Sequence, residues 1–500
     1  MSTSGDQRVA AVVVLAAGGG TRMKSKKSKL LHELAGRPML SYAVDAALAL
    51  DPRRLVVVVG HLREQVEGHL NEHYPQVSVV EQPVRNGTGG AVACAMAALD
   101  GAIGEVVVTY GDVPMLTGST LARMITEHRT NGNAVTVLTA VIPDATGYGR
   151  IVRDGGEVAR IVEHKDASPA EREIREINSG IYVFDSELLR EGLPTLDTSN
   201  AQGELYITDM VGYARDHGQR VGAFQVEDLW QTEGVNDRVQ LARMNAEVNR
   251  RIVENWMREG VTIIDPRSTW ISHDVTLAPD CVIQPNTQLL GTTVVATGAV
   301  IGPDTTLRDV EVGEDALVVR SHGELAVIEA GAQVGPYSRL RAGTVLGANG
   351  KIGSFVETKN AQIGEGSKVP HLTYCGDAIL GEGVNVGAGT IFANYDGSHK
   401  SPTHLGDHVF IGSNSVLVAP VDIGDGAFVA AGSAVIEDVP PGALAVARSR
   451  GHISVQWVQR RRSGSKAAEA ADTASGKIHE KVAGARAALD AEQQAREANK

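Results

Sequence analysis

The chain has 500 residues, a formal net charge of −13 at pH 7 and a pI near 5.6; this excludes a single ordinary core and argues against a general nucleic-acid binder, which is more often basic. It carries 56 Gly but only 6 Phe, 4 Trp and 10 Tyr, which disfavours a helical bundle and points to tight turns, a phosphate-binding loop, or both. Cys94, Cys281 and Cys375 are widely spaced and odd in number, so no disulfide framework or paired metal-thiolate motif is expected; with neither a spanning apolar run nor a basic n-region at the start, a soluble, reducing, cytoplasmic setting fits.

Three styles of sequence follow one another. From residue 8 to about 238, short β-branched runs alternate with helical stretches. Residues 9–18, 54–60, 77–82, 105–112 and 134–140 read as buried strands, and 39–50 and 89–100 as helices. That alternation predicts a largely parallel sheet covered on both faces, with ligands at the carboxyl ends of its strands. In residues 239–259, Leu241, Met244, Val248, Ile252 and Trp256 recur at spacings of three and four, which predicts an amphipathic linker helix. From about 260 to 462 the period becomes six. Leu277, Ile283, Leu289, Val295, Ile301 and Leu307 form one run; Ile328, Val334, Leu340, Leu346 and Ile352 a second; Leu405, Ile411, Leu417, Ile423, Val429 and Val435 a third. Hexapeptide repetition predicts a β-helix whose aliphatics stack from coil to coil. The repeat breaks near 319–327 and 393–404, where loops are expected to leave the coils. Residues 463–500 are rich in Ala, Glu, Lys, Gln and Arg with few large apolar side chains, and disorder is expected there.

The first strand runs into Leu15-Ala16-Ala17-Gly18-Gly19-Gly20-Thr21-Arg22-Met23. Glycines let backbone N–H groups approach phosphate oxygens, and Arg22, Lys24, Lys26, Lys27 and Lys29 add positive charge. By itself this fits a plain strand-to-helix turn with a solvated basic loop as well as a phosphate site. The segment and the following Lys29-Leu30-Leu31-His32 resemble the sugar-nucleotide pyrophosphorylases. More specifically, they resemble the bifunctional N-acetylglucosamine-1-phosphate uridyltransferase/glucosamine-1-phosphate acetyltransferase family. Where that family carries proline before the lysine, this chain has Ser28.

The resemblance runs over about residues 9–460. It implies a Rossmann-like α/β nucleotidyltransferase domain, a linker helix and a left-handed parallel β-helix. In the first domain it implies that Leu15, Ala16, Ala17, Gly18, Lys29, Gln82, Gly87, Thr88, Tyr110 and Gly111 hold the nucleotide. Gly147, Glu163 and Asn178 would hold sugar and ribose, and Asp112 and Asn236 would hold Mg²⁺. The residue types suit those tasks: a glutamine amide offers donor and acceptor to a pyrimidine edge, and an acid at a strand's carboxyl end can hold Mg²⁺ through oxygen. Arg22 and Lys29 would neutralise charge as a sugar-1-phosphate oxygen attacks the α-phosphorus of UTP. Asn200-Ala201-Gln202-Gly203-Glu204-Leu205-Tyr206-Ile207-Thr208-Asp209 is a further family match.

In the β-helix the resemblance implies that His371 is the base of an acetyl transfer from acetyl-CoA to the amine of glucosamine-1-phosphate. Arg341, Lys359, Tyr374, Asn385 and Lys400 would bind the sugar phosphate, and Ala388, Asn394, Tyr395, Ser413, Ala431 and Arg448 acetyl-CoA. A neutral imidazole suits removal of an ammonium proton, and Arg341 with Lys359 suits a phosphate dianion. The family's acetyl sites lie between subunits of a homotrimer, so trimerisation is expected, and Trp457 is a candidate cover for a neighbour's site. Two other readings stay open: a nucleotidyltransferase whose β-helix only assembles or regulates, and a trimeric scaffold with degenerate sites.

Overall fold

The computed structural model describes residues 8–498 apart from 100, 102 and 450, and side chains as far as 491 apart from 479 and 490. The first domain contains strands β1 (Ala11–Ala16), β2 (Glu33–Leu34), β3 (Arg37–Pro38), β4 (Leu55–Val59), β5 (Ser78–Glu81), β6 (Glu105–Tyr110), β7 (Val135–Val141), β8 (Gly149–Asp154), β9 (Glu157–Val162), β10 (Glu176–Asp185) and β11 (Val221–Gln225). Its helices are α1 (Met39–Leu48), α2 (Arg63–His73), α3 (Thr88–Ala98), α4 (Gly118–Asn131), α5 (Pro169–Arg172), α6 (Ser186–Gly192) and α7 (Asp209–Asp216). The sheet order is β11-β7-β10-β6-β1-β4-β5, with β8 and β9 attached to β10.

Strands β1, β4, β5 and β6 pair in parallel, as the valine runs predict, while β10 lies antiparallel to both β6 and β7. Alternate residues of the central strands enter two cores. Val12, Val14, Val57, Val59 and Val107 pack on the side of α1, α2 and α4; Val13, Val56, Val58, Val106 and Val108 face α3, α6 and α7. A strand buried on both faces needs apolar residues at every position, which explains its unbroken β-branched runs. The parallel strands direct their carboxyl ends to one edge, where the loops after β1, β5 and β6 meet.

Helix α8 (Arg238–Arg258) begins at Asp237, whose side chain accepts from the Val239 and Gln240 N–H groups at 2.9 Å. Met244 and Val248 pack with Leu34, Met39 and Val235, whereas Val253, Ile252 and Trp256 reach the core of the following coils. One apolar stripe therefore ties the two domains together. Asn249 closes the first coil, donating to Thr269 O at 2.8 Å and accepting from Ile271 N at 2.9 Å.

Parallel strands then stack into a β-helix. The six-residue aliphatics fill its interior: Leu277, Ile283, Leu289, Val295, Ile301, Leu307 and their successors are all buried. The break near 319–327 is not an emergent loop. Val318 pairs with Val334 and with Ile301, a shorter step than Val334 to Ile352, so the coil loses turn residues there and the strand His322–Ile328 continues the wall. The break near 393–404 does leave the coil: Leu380 pairs with Leu405, and the bridge Tyr395–Lys400 closes the excursion. Beyond the coils lie α9 (Trp457–Arg461) and α10 (Lys466–Ala498). Where disorder was expected, residues 466–498 form a helix, with their described side chains almost all exposed. Among the described residues no helix is long and apolar enough to cross a membrane.

Candidate active sites

A cavity of about 650 Å³ opens where the loops after β1, β5 and β6 converge. Leu15, Ala16, Ala17, Gly18, Lys29, Gln82, Gly87, Thr88, Tyr110 and Asp112 line it, together with Gly19, Leu30, Arg85, Ala91 and Glu204. Gly20 is in the left-handed region (φ 57°), and a Cβ there would stand 2.9 Å from Lys29 Cβ, so the loop needs glycine at that point. Ser28, in the place of the family's proline, donates its N–H to Gln65 Oε1 at 2.8 Å, and Gln65 Nε2 donates to Lys26 O at 3.0 Å. Hydrogen bonds to α2 hold this basic loop where a proline ring would have stiffened it; proline could not make the first of them.

Lys29 is the centre of the charged cluster. Its ammonium donates to Asp112 Oδ2 and, at 3.3 Å, to Asn236 Oδ1. Arg22 reaches the same amide oxygen at 2.9 Å. Val235 N donates to Asp112 O at 3.0 Å, which fixes the Gly234-Val235-Asn236-Asp237 turn against the end of β6. So a carboxylate and an amide oxygen, far apart in sequence, are brought together by the Lys29 ammonium, with Arg22 on the amide oxygen. Among the described residues no group of three or more His, Cys, Asp or Glu side chains is placed to hold a metal. A two-oxygen donor set fits Mg²⁺, which keeps several waters and takes its remaining ligands from phosphate.

Glu163 and Asn178, expected to hold sugar and ribose, lie close to each other but are not among the residues that line the cavity, and neither are Arg22 and Asn236. An added Cβ on Gly149 would meet Glu163 Oε1 at 3.3 Å and Asn178 Cβ at 3.5 Å, so both side chains converge on β8. Asn178 Oδ1 accepts from Gly180 N and Tyr182 OH, each at 2.9 Å, leaving its amide hydrogens available. Burial, helped by Asp166 and Asp209, pushes the Glu163 carboxyl above the ordinary range. Burial likewise raises the Tyr110 phenol, with Asp112 and Glu163 contributing. Gly111 packs against Leu40 and Leu30, and Gly147 (φ 88°) turns the chain ahead of β8; neither lines the cavity.

Five lining residues, Gly19, Leu30, Arg85, Ala91 and Glu204, had been given no site role from sequence. Arg85 is exposed and its guanidinium lies beside Gly19; a lone cation two residues before Gly87-Thr88 was the available signal. Glu204 comes from the 200–209 stretch, which has a structural task as well: Leu205 N donates to Asn86 O at 2.7 Å and Gly89 N to Leu205 O at 2.9 Å. Thr88 Oγ1 accepts from Ile207 N at 3.2 Å.

On the β-helix, successive coils bring a second set together. Arg341 N donates to Thr358 O at 3.0 Å, and the strand carrying Lys359 pairs with that of Tyr374, Lys359 lying opposite Gly376. A Cβ on Gly376 would stand 2.3 Å from Tyr374 OH, so glycine there makes room for the phenol. Asn394 donates to Tyr374 OH at 3.3 Å and to Asp377 Oδ2 at 2.6 Å, which fastens the excursion over this corner. Lys400 returns along that excursion to Lys359, and its ammonium, with Arg341, depresses the Lys359 pKa against the pull of Asp377. Arg341 also pairs with Glu357 Oε1 at 3.0 Å, so three cations stand against two acids and the corner keeps an excess of positive charge.

His371 lies on the neighbouring sheet with its side chain exposed; its carbonyl accepts from Gly389 N at 3.2 Å, next to Ala388. Ala388 O accepts from Asn414 N and Ser413 O from Gly432 N, both at 2.8 Å, so Ala388, Ser413 and Ala431 follow one another at equivalent turns. Ala434 N donates to Ala447 O at 3.1 Å, which puts Arg448 at the next coil. Asn385 pairs with Lys368 and Phe410. Tyr395 is exposed at the tip of the excursion, and Trp457 is exposed beyond the coils. Cys375 is buried in the coil core, which pushes its thiol up to about 12 and makes it unreactive.

An α/β sheet with a glycine-loop cavity, joined by one helix to a hexapeptide β-helix, defines a two-domain hexapeptide-repeat nucleotidyltransferase. The model for the MobA-like NTP transferase domain matches residues 12–149, and that for the bacterial transferase hexapeptide (six repeats) matches residues 402–436. The bifunctional protein GlmU of Paenarthrobacter aurescens is 55% identical over 469 residues, 93% of this chain and 94% of the relative. GlmU of Rhodococcus opacus is 54% identical over 483 residues, 94% and 97%, and that of Cutibacterium acnes 59% over 391 residues, 77% and 94%. The chain belongs to the GlmU family: it is a bifunctional enzyme, N-acetylglucosamine-1-phosphate uridyltransferase and glucosamine-1-phosphate acetyltransferase, and makes UDP-N-acetylglucosamine.

Proposed function

We propose that the two reactions are carried by two separate constellations of side chains. In the first domain, Gly18 and its neighbours cradle the triphosphate of UTP, Gln82 reads the uracil edge, and Glu163 and Asn178 hold sugar hydroxyls. An oxygen of the sugar-1-phosphate attacks the α-phosphorus of UTP, the bond to the bridging oxygen breaks, and pyrophosphate leaves. Both reactants are anions, so the barrier is repulsion and alignment. Lys29 and Arg22 offset that repulsion. Asp112 and Asn236 would hold Mg²⁺, which would supply neutralisation of phosphate charge. No protein nucleophile is needed. The convergence of Lys29 and Arg22 on the Asp112/Asn236 pair supports this reading most strongly.

On the β-helix, Arg341, Lys359 and Lys400 bind the phosphate of glucosamine-1-phosphate, and Tyr374 and Asn385 orient the sugar. His371 takes a proton from the ammonium; the freed amine attacks the thioester carbonyl of acetyl-CoA, and CoA thiolate leaves. Ala388, Asn394, Tyr395, Ser413, Ala431 and Arg448 line the path of acetyl-CoA. The active form is a homotrimer. Tyr337, Phe355 and Leu372 stand 56%, 61% and 61% exposed on consecutive coils beside His371, an apolar ridge suited to a second copy. The unpaired cysteines support a reducing cytoplasmic setting. The test follows CoA release with glucosamine-1-phosphate and pyrophosphate release with N-acetylglucosamine-1-phosphate, each supplied directly. Asp112→Asn is expected to lose pyrophosphate release and keep CoA release, and His371→Ala the converse; loss of both in either folded variant contradicts separate sites.

A further inference from the structure

Gln82 is 5% exposed and lines the nucleotide cavity. Its Nε2 donates to Asn86 Oδ1 at 3.1 Å and to Gly87 O at 3.1 Å. A side-chain amide nitrogen carries two hydrogens, and both are used here. The Gly87 oxygen is a backbone acceptor, so it settles which end of the amide is nitrogen. The Oε1 end receives no donor among the described residues and is the end left for a ligand.

A separate feature converges on the same side chain. An added Cβ on Gly90 would stand 1.8 Å from Asn86 Oδ1. Gly90 lies inside α3 without left-handed backbone, where alanine would ordinarily favour the helix. Its glycine therefore serves space, and the space is taken by the Asn86 amide. The Asn86 backbone is held independently: its N–H donates to Val84 O at 2.9 Å and its carbonyl accepts from Leu205 N at 2.7 Å. The Asn86 side chain is thus free of the loop's own architecture and available for one task.

We infer that Asn86, admitted by Gly90, is a positioning residue that locks Gln82 as a pure acceptor toward the base. An acceptor-only amide matches a pyrimidine with an N–H at the ring position it reads, as uracil has, and opposes one with a lone pair there, as cytosine has. Without Asn86, one Gln82 hydrogen is released and the amide can turn to serve a lone pair. The inference rests on Gln82 being the base-reading group, as proposed above.

The test is steady-state kinetics with UTP and CTP on the full chain. Asn86→Leu is expected to raise KM for UTP with kcat little changed. It should lower the UTP:CTP ratio of kcat/KM about two- to tenfold, the effect of one net hydrogen bond. Asn86→Asp, which keeps the acceptor, should retain the ratio. Gly90→Ala, which displaces Asn86, should lower it like Asn86→Leu. A kcat for UTP near the parent value reports that the nucleotide domain is folded. An unchanged ratio in Asn86→Leu overturns the role of Asn86. Gln82→Met then tells which premise failed: a lowered ratio there leaves Gln82 as reader and removes only Asn86, and an unchanged ratio removes base reading by Gln82 as well.

Discussion

The two sites of this enzyme are built on opposite principles. The nucleotide site is a cavity at the edge of a sheet, and its central pair is well covered: the Lys29 and Asp112 side chains are 11% and 19% exposed. The proposed acetyl site is a row of side chains on the outside of a coil, with His371 and Lys400 exposed. A parallel sheet creates a crevice wherever its loops diverge. A β-helix fills its interior with aliphatics and offers only its surface. The nucleotide cavity is lined by residues of one chain. Under the trimer proposed above, a second copy would close the open site, so that acetyl transfer would belong to the assembly and uridylyl transfer to the single chain.

The largest effects should come from breaking each site in turn. Asp112→Asn removes the one carboxylate from the phosphate-facing pair and is expected to lower uridylyl transfer by at least about a thousandfold. His371→Ala should lower acetyl transfer by about a hundred- to ten-thousandfold, the usual contribution of a general base. Each is read by the rate of its own leaving group, with the other rate as the control.

A smaller effect sharpens the enclosed side of the comparison. Burial, with Asp166 and Asp209, raises the Glu163 pKa. A sugar hydroxyl donates best to the ionised carboxylate, so KM for N-acetylglucosamine-1-phosphate should rise as pH falls through that raised value, and Glu163→Gln should flatten the profile. A raised pKa also means that ionised Glu163 costs stability above its folded pKa, a cost that disappears as pH falls below the unfolded value. Glu163→Gln should therefore melt at a higher temperature than the parent at neutral pH and lose that advantage in acid. A variant that melts lower at neutral pH contradicts the assigned cause.

The smallest effect belongs to the open site. Lys400 and Arg341 depress the Lys359 pKa, and a bound phosphate dianion should restore it. Binding of glucosamine-1-phosphate should then take up protons, measured by calorimetry in buffers of different ionisation enthalpy. Lys400→Met should reduce the uptake; uptake unchanged by that substitution removes Lys359 as its source.

How far the sequence reached differs between the regions for physical reasons. A period of six is imposed on every coil by the geometry of its walls, so Leu277 through Val435 reported the β-helix directly. The valine runs reported the sheet because strands buried on both faces admit little else. What escaped was what pairing and space decide. The antiparallel β10 reads like its parallel neighbours, since burial alone does not encode direction. The shortened coil near 319–327 broke the period as an inserted loop would. In the nucleotide site, Gln82, Lys29 and Asp112 stood in recognisable motifs. Arg85 and the Asn86–Gly90 contact did not, because a side chain filling a glycine's empty space has no sequence pattern of its own.

The central claim is that the nucleotide site is complete in one chain and the acetyl site is not. Phe355→Asp, on the exposed ridge and outside both sets of proposed site residues, tests it when mass in solution and both activities are measured on one preparation. The account predicts monomers that release pyrophosphate at the parent rate and no longer release CoA. Monomers that acetylate glucosamine-1-phosphate at the parent rate would contradict it.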